Sequence, residues 1–230
     1  MGATVGAEDR PIVNSAFVEY RARFVEPALE RWHQGIVMQS LLRSLTPWGA
    51  SLESISFGQT SAKASDVRTS VDLSPIATVV TASMGEVLLV RNNPLWKQKD
   101  ETVAVAHAAV GAMVAALGVR IGQQEVTLGL HVTVPGRTPR ELIGRFVNHD
   151  APLVAGVGVR SYGVSVYRED GYWLLDTSRV FPDALFVRLG RVADAQASLE
   201  ALAEALHRDE MALAKALGLG GGTDGSDPSA

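Results

Sequence analysis

The chain contains no cysteine. That removes disulfides, thiolate metal sites and thiol nucleophiles from consideration and leaves the compartment open. Aromatic residues are sparse at 6%, so aliphatic side chains must build most of the core. A strong basic excess is missing as well. The formal net charge is −4, which argues against nucleic acid, whose binding needs a broad basic face. The first ten residues lack both a basic lead and an apolar run, so no secretory signal is expected, and the reading is cytoplasmic. The most apolar run, Val103 to Val119, is short for a bilayer crossing, rich in alanine and interrupted by His107. It reads as a buried amphipathic helix, and no membrane span is expected.

Hydrophobic residues make up 47% of the 230 positions and charged residues 20%, a balance that supports a folded α+β core and excludes general disorder. From Ile12 to Phe24 the chain alternates: Ala16, Val18, Tyr20, Ala22 and Phe24 form an apolar face against Phe17, Glu19, Arg21 and Arg23. Pro27 then opens a predicted helix carrying Leu29, Trp32, Ile36, Val37, Leu41 and Leu45, stopped at Thr46-Pro47-Trp48-Gly49. Strands are predicted around Leu52–Phe57, Val67–Leu73, Ile76–Ala82 and Glu86–Arg91. After a polar loop, with Asp100 as the expected cap, a helix runs to Leu117 and closes at Gly118.

The order then repeats. Gln124 to Val134 reads as a strand, and Thr138-Pro139-Arg140-Glu141 as a capping box that opens a helix to about Asn148. Further strands are predicted at Leu153–Arg160, Gly163–Glu169, Tyr172–Ser178 and Ala184–Leu189, with a hairpin turn at Glu169-Asp170-Gly171. A last helix, lined by Val192, Leu199, Leu202, Leu206, Leu213 and Leu217, closes at Gly218. Leu89-Val90-Arg91 is matched to Phe186-Val187-Arg188, and Ala116-Leu117-Gly118 to Ala216-Leu217-Gly218. The expected architecture is therefore duplicated β-α-β(3-4)-α halves, with antiparallel sheet and helices packed on one face. The halves span 11–122 and 123–219, between a disordered lead at 1–10 and a disordered Gly/Ser/Asp tail at 220–230.

No constellation stands out for catalysis, for a cofactor or for a metal. The five histidines, His33, His107, His131, His149 and His207, form no ligand spacing. Gly156-Val-Gly158-Val-Arg-Ser-Tyr-Gly163 lacks the helix that would present amide groups to a phosphate, so its glycines read as close approaches within a sheet. Arg23, Arg68, Arg91, Arg168 and Arg188 fall on strands as candidate anchors for an acidic partner, or as charges that keep a sheet face solvated. Tyr162, Tyr167, Tyr172 and Trp173 gather around one hairpin, as an interaction patch or as cross-strand packing.

The opening stretch, Pro11-Ile12-Val13-Asn14-Ser15-Ala16-Phe17-Val18-Glu19-Tyr20-Arg21-Ala22-Arg23-Phe24, resembles the start of a sporadically distributed bacterial family of uncharacterised proteins. Its members begin Pro-Ile-Val-Glu-Ala and continue as an alternating strand; Asn14 stands in place of the glutamate. Leu174-Leu175-Asp176, followed by a terminal helix holding Leu206-His207, is similar to that family's closing segment. The resemblance implies no catalytic residues and suggests an accessory role. Together these features predict a non-enzymatic binding or adaptor protein, with no cofactor. It would engage a protein or peptide partner, or a second copy of itself, through a sheet face, an edge or a helix surface. The alternative is a small-molecule binder or enzyme with an apolar pocket between sheet and helices, near Trp32 and Trp48. Nucleic acid has only a layout resembling TATA-binding proteins in its favour.

Overall fold

The alternation of β1 (Ile12–Phe24) sets the architecture, because a strand with one apolar face must be covered on that face. The computed structural model describes residues 11–59, 66–146 and 163–219. The expectations for residues 1–10, Leu153–Arg160, Gly156, Gly158, His149, Tyr162 and residues 220–230 lie outside those residues. In chain order the remaining elements are α1 (Gln34–Leu45), β2 (Ile55–Gln59), β3 (Val67–Leu73), β4 (Thr78–Ser83), β5 (Glu86–Asn92) and α2 (Lys99–Leu117). There follow β6 (Ile121–Thr133), α3 (Pro139–Ile143), β7 (Val164–Arg168), β8 (Gly171–Thr177), β9 (Leu185–Asp194) and α4 (Leu199–Ala216).

The fold is α+β. Among the described residues, nine strands join one antiparallel sheet in the order β2-β3-β4-β5-β1-β6-β9-β8-β7. β1 and β6 pair along most of their length at its centre. Val18 lies opposite Leu128, and Tyr20 opposite Val126. On its other side β1 places Val18 against Arg91 and Tyr20 against Leu89 of β5. β6 places Val126 against Arg191 and Leu128 against Leu189 of β9.

One face of the sheet carries Val71, Leu73, Val80, Val87 and Leu89, together with Leu189, all fully buried under helices. Each such aliphatic side chain contributes about 1.5–3 kcal/mol by leaving water. α1 packs near β3, α2 on β5, and α4 on β6 and β9. α2 has the length and composition of a membrane-crossing helix. Its residues Val105, Ala109 and Met113 are buried within the protein. Gly118 and Gly218, with φ of 60° and 69°, close α2 and α4 in the left-handed conformation that glycine adopts without strain. Arg31 donates to the carbonyls of Leu117 and Gly118, and Arg137 to that of Leu217, so both frayed helix ends find cationic donors.

On the opposite face two glycines make room for rings. A Cβ at Gly129 would sit 2.2 Å from the Phe17 ring, and one at Gly190 2.3 Å from the Tyr172 ring. Tyr172 Oη also donates to Glu125 Oε1 at 3.2 Å.

Several local expectations need correction. α1 begins at Gln34 rather than Pro27, because the Trp32 N–H bonds back to Ala28 in a separate turn and the helix ladder starts only from the His33 carbonyl. Leu52–Ser54 form a single 3-10 turn ahead of β2, with Ser51 and Ser54 bonding reciprocally. Asp100 lies in the first turn of α2 and Gln98 at its cap. The Thr138 capping box forms, but its helix ends at Ile143. Val192 belongs to β9, and α4 starts after Ser198, whose hydroxyl accepts from the Ala201 N–H. The match of Leu89-Val90-Arg91 to Phe186-Val187-Arg188 is out of phase by one residue. Leu89 and Arg91 face the helices, whereas Val187, Leu189 and Arg191 do so in β9. A one-residue slip sends every side chain to the other face of the sheet.

Candidate binding site between two helices and the sheet centre

The centre of the sheet is incompletely roofed. Ala16 and Tyr20 of β1 are buried, yet Val18 between them is only half-buried, as is Leu130 of β6. A central strand leaves apolar side chains in that state only where the layer above stands off. α2 and α4 do stand off here, because the side chains they turn inward include the small Ala106 and Ala203. The result is a cavity of about 330 Å³. Val18, Tyr20, Val126 and Leu128 form its floor; Val103, Ala106, Ala203 and Leu206 form its roof. Its volume is at the lower end of the range of about 300–1,000 Å³ typical of small-molecule sites.

Two side-chain contacts join α2 to α4. Lys99 of α2 pairs with Glu204 of α4. His107 Nε2 lies 3.1 Å from Glu200 Oε1. Val13, Pro94 and Leu95 border the cavity together with His207 and Glu210, whose Nδ1 and Oε2 are 3.1 Å apart.

The polar atoms of the walls are engaged within the protein. Tyr20 Oη donates to Gln124 Oε1 at 2.8 Å, and Gln124 Nε2 donates to the carbonyls of Asp194 and Ala197. Burial pushes the Tyr20 hydroxyl up to about 12, so it stays protonated and offers the cavity a ring rather than a charge. Thr102 Oγ1 accepts from Arg91 at 2.9 Å and donates to the Gln98 carbonyl. The hydrogen bond from Lys99 to Glu204 raises the ammonium above its ordinary value, aided by Asp100 and Glu200, and keeps it charged. Such walls can enclose an apolar body, and they present no nucleophile beside a base.

The five arginines anticipated as anchors do not form one surface. Arg91 is 2% exposed beneath α2, with Glu101 Oε2 at 2.7 Å. Arg168 also faces the helices, with Nη2 2.7 Å from Asp209 Oδ2 and its guanidinium 5.6 Å from the centre of the Trp173 ring. Arg23 and Arg188 lie on the opposite face. Arg23 donates to Gln123 Oε1 at 3.2 Å, and Arg188 stands 3.8 Å from Glu19 Oε2 and 6.0 Å from the Tyr172 ring centre. Arg68 alternates with the buried Thr69 and Val71 and so shares that face. The aromatic group divides likewise: Tyr167 and Tyr172 stack at 6.2 Å on one face, and Trp173 lies on the other. Trp32 and Trp48 pack against the core and do not line the cavity.

His33 sits at the start of α1 without a capping bond from its side chain. His131 Nδ1 lies 2.8 Å from Ser178 Oγ, a serine–histidine contact. Ser178 Oγ already accepts the N–H groups of Val180 and Phe181, so the contact pins the turn before β9. Burial lowers the affinity of His131 for a proton, in keeping with its place against Phe181 and Phe186. Among the described residues, no group of three or more histidine or acidic side chains is arranged to hold a metal. Two features went unread in the sequence, the place of the apolar cavity, expected near Trp32 and Trp48, and the Arg191–Asp209 contact. The second had a signal: Val87-Leu88-Leu89-Val90-Arg91 and Val187-Arg188-Leu189-Gly190-Arg191 share valine, leucine and arginine at alternate positions.

No family model matches the chain, and no curated protein does. Among solved structures, it is similar to the regulatory subunit of aspartate kinase from Thermus flavus. The two are 14% identical, over 86% of this chain and 94% of that one, with a TM-score of 0.17. A likeness at that score carries no argument about fold or function.

Proposed function

We propose that the protein is a non-enzymatic, cytoplasmic binding protein that takes a small apolar ligand into the cavity between α2, α4 and the β1–β6 pair. One observation carries this reading: Val18 and Leu130 remain half-buried at the centre of a nine-stranded sheet, facing a space whose wall polar groups are bonded within the protein. An empty apolar space of this size forfeits packing, and an apolar occupant recovers it.

The duplicated architecture belongs to the same proposal, with register as its support. Exchanging the two halves would carry the pair Val18–Leu128 onto Val126–Tyr20, which is also a pair in the sheet. It would carry Leu89 and Arg91 onto Leu189 and Arg191, and Gly118 onto Gly218. The axis relating the copies would pass through the pair Glu19–Thr127, beneath the cavity. On this reading the site lies where two copies of one strand–helix unit meet, and each contributes half of the floor and half of the roof. A protein partner is the second reading, favoured by Phe57 of β2 and Tyr167 of β7, 54% and 76% exposed on the outermost described strands.

Titration with the neutral fluorophore N-phenyl-1-naphthylamine tests the cavity. The expected result is saturable binding at one site per chain. Ala203→Phe, which places a ring in the cavity, should abolish binding and raise stability by about 0.5–2 kcal/mol, as cavity filling commonly does. An Ala203→Phe protein that is folded by circular dichroism yet binds the dye like the native chain would overturn the proposal.

A further inference from the structure

We infer that the occupant of this cavity is an apolar amine, with its hydrocarbon body along α4 and its ammonium at Glu210; this rests on the binding function proposed above. The lining runs along α4 from Leu199 to Glu210. That stretch is roughly 16 Å long at 1.5 Å per residue, enough for an extended alkyl chain rather than a compact ring. Its inner part, floored by Tyr20, Val126 and Leu128, supplies only apolar contact. The charged lining residues are Lys99, paired with Glu204 near the middle of that stretch, and Glu210, beside His207 at its end.

The charge there is predominantly acidic. Lys99 lines the cavity, but it is paired with Glu204, and Asp100 and Glu200 also lie close enough to stabilise its charge. Arg208 is a second cation near Glu204. Glu210 is different, because its partner is the imidazole of His207 rather than a lysine or arginine. An anionic headgroup would have to compete with Glu204 for Lys99 while lying among the other carboxylates. An alcohol would find neither attraction nor repulsion of that size. An ammonium would gain a charge-assisted hydrogen bond to Glu210. Complementarity of charge therefore selects the amine from three chains of equal length.

The test is displacement of N-phenyl-1-naphthylamine at pH 7 by decylamine, 1-decanol and decanoate, each below its aggregation concentration. Decylamine should displace the dye at roughly one-tenth the concentration that decanoate needs, the factor expected of one hydrogen bond to a charged group. Glu210→Gln should remove that advantage and leave 1-decanol unchanged, which also shows that the variant keeps its cavity. Decanoate equal to or better than decylamine, or a Glu210→Gln protein that retains the amine preference, overturns the inference and leaves the cavity reading standing. Failure of the dye to bind at all overturns both.

Discussion

Asp209 is the strongest electrostatic tie between α4 and the sheet. It is 6% exposed and accepts a two-pronged contact from Arg191, Nε to Oδ2 at 2.6 Å and Nη2 to Oδ1 at 2.8 Å. It accepts a third bond from Arg168 at 2.7 Å. Asp209→Ala would leave two guanidinium groups facing each other without their shared counter-charge. Removing one partner of a buried ion pair costs about 3–5 kcal/mol. The lower end applies here, because Arg191 keeps its contact with Asp170 and the Arg168 side chain is 35% exposed. A loss of about 3 kcal/mol lowers the melting temperature of a chain this size by about 6–12 °C. Replacing Arg191 by Met and Asp209 by Leu together should restore most of it, since a packed apolar pair often matches a buried ionic one. The pH dependence has a definite sign. Burial pushes the Asp209 carboxyl up, but the hydrogen bonds and charges of Arg191 and Arg168 outweigh it and hold the group below its ordinary value. Its contribution is therefore complete above the unfolded value of about 3.9 and is lost as pH falls through the lower, folded one. Thermal melts followed by circular dichroism at pH 7 and pH 3 measure both effects. An Asp209→Ala protein melting within about 1 °C of the native chain at pH 7 would refute the reasoning.

Three further substitutions have expected costs. In Gly171→Ala the new Cβ would lie 2.1 Å from the Gly190 carbonyl oxygen, which cannot move without breaking the β8–β9 ladder, so about 3 kcal/mol or more should be lost. In Gly129→Ala the nearest atoms met are those of the Phe17 ring, so the cost should be about 1 kcal/mol, less still when Phe17 is Leu; equal costs for the two glycines in urea unfolding would contradict this. Glu101→Ala leaves the buried Arg91 with Thr102 as its remaining partner and should cost about 2 kcal/mol, whereas no measurable change would mean that Arg91 finds other compensation.

The sequence revealed elements better than faces. β3, β5 and the closure of α2 at Gly118 followed from strict alternation, from a continuous apolar run between turns, and from glycine after a helical stripe. The Thr138 cap was legible because its chemistry is local: Thr138 and Glu141 satisfy each other's backbone N–H groups. The phase of β9 was not. Phe186, an apolar residue on the face away from the described helices, stacks beside His131 and so imitates a core position, and Arg91 and Arg191 are cations on the face that those helices cover. Each contradicts the rule that apolar residues mark the interior, and each is explained only by a partner on another element. The place of the cavity was illegible for a related reason. Ala106 and Ala203 look like ordinary helix formers, and only the separation of α2 from α4 turns their small size into space.

The central claim is most directly tested by locating an occupant. In crystals of the complex with 10-bromodecylamine, the account predicts an anomalous bromine peak at the inner end of the cavity, between Val126 and Leu199, with the amine at Glu210. A bromine peak on the opposite sheet face, near Phe17 or Tyr172, with the cavity empty, would contradict it.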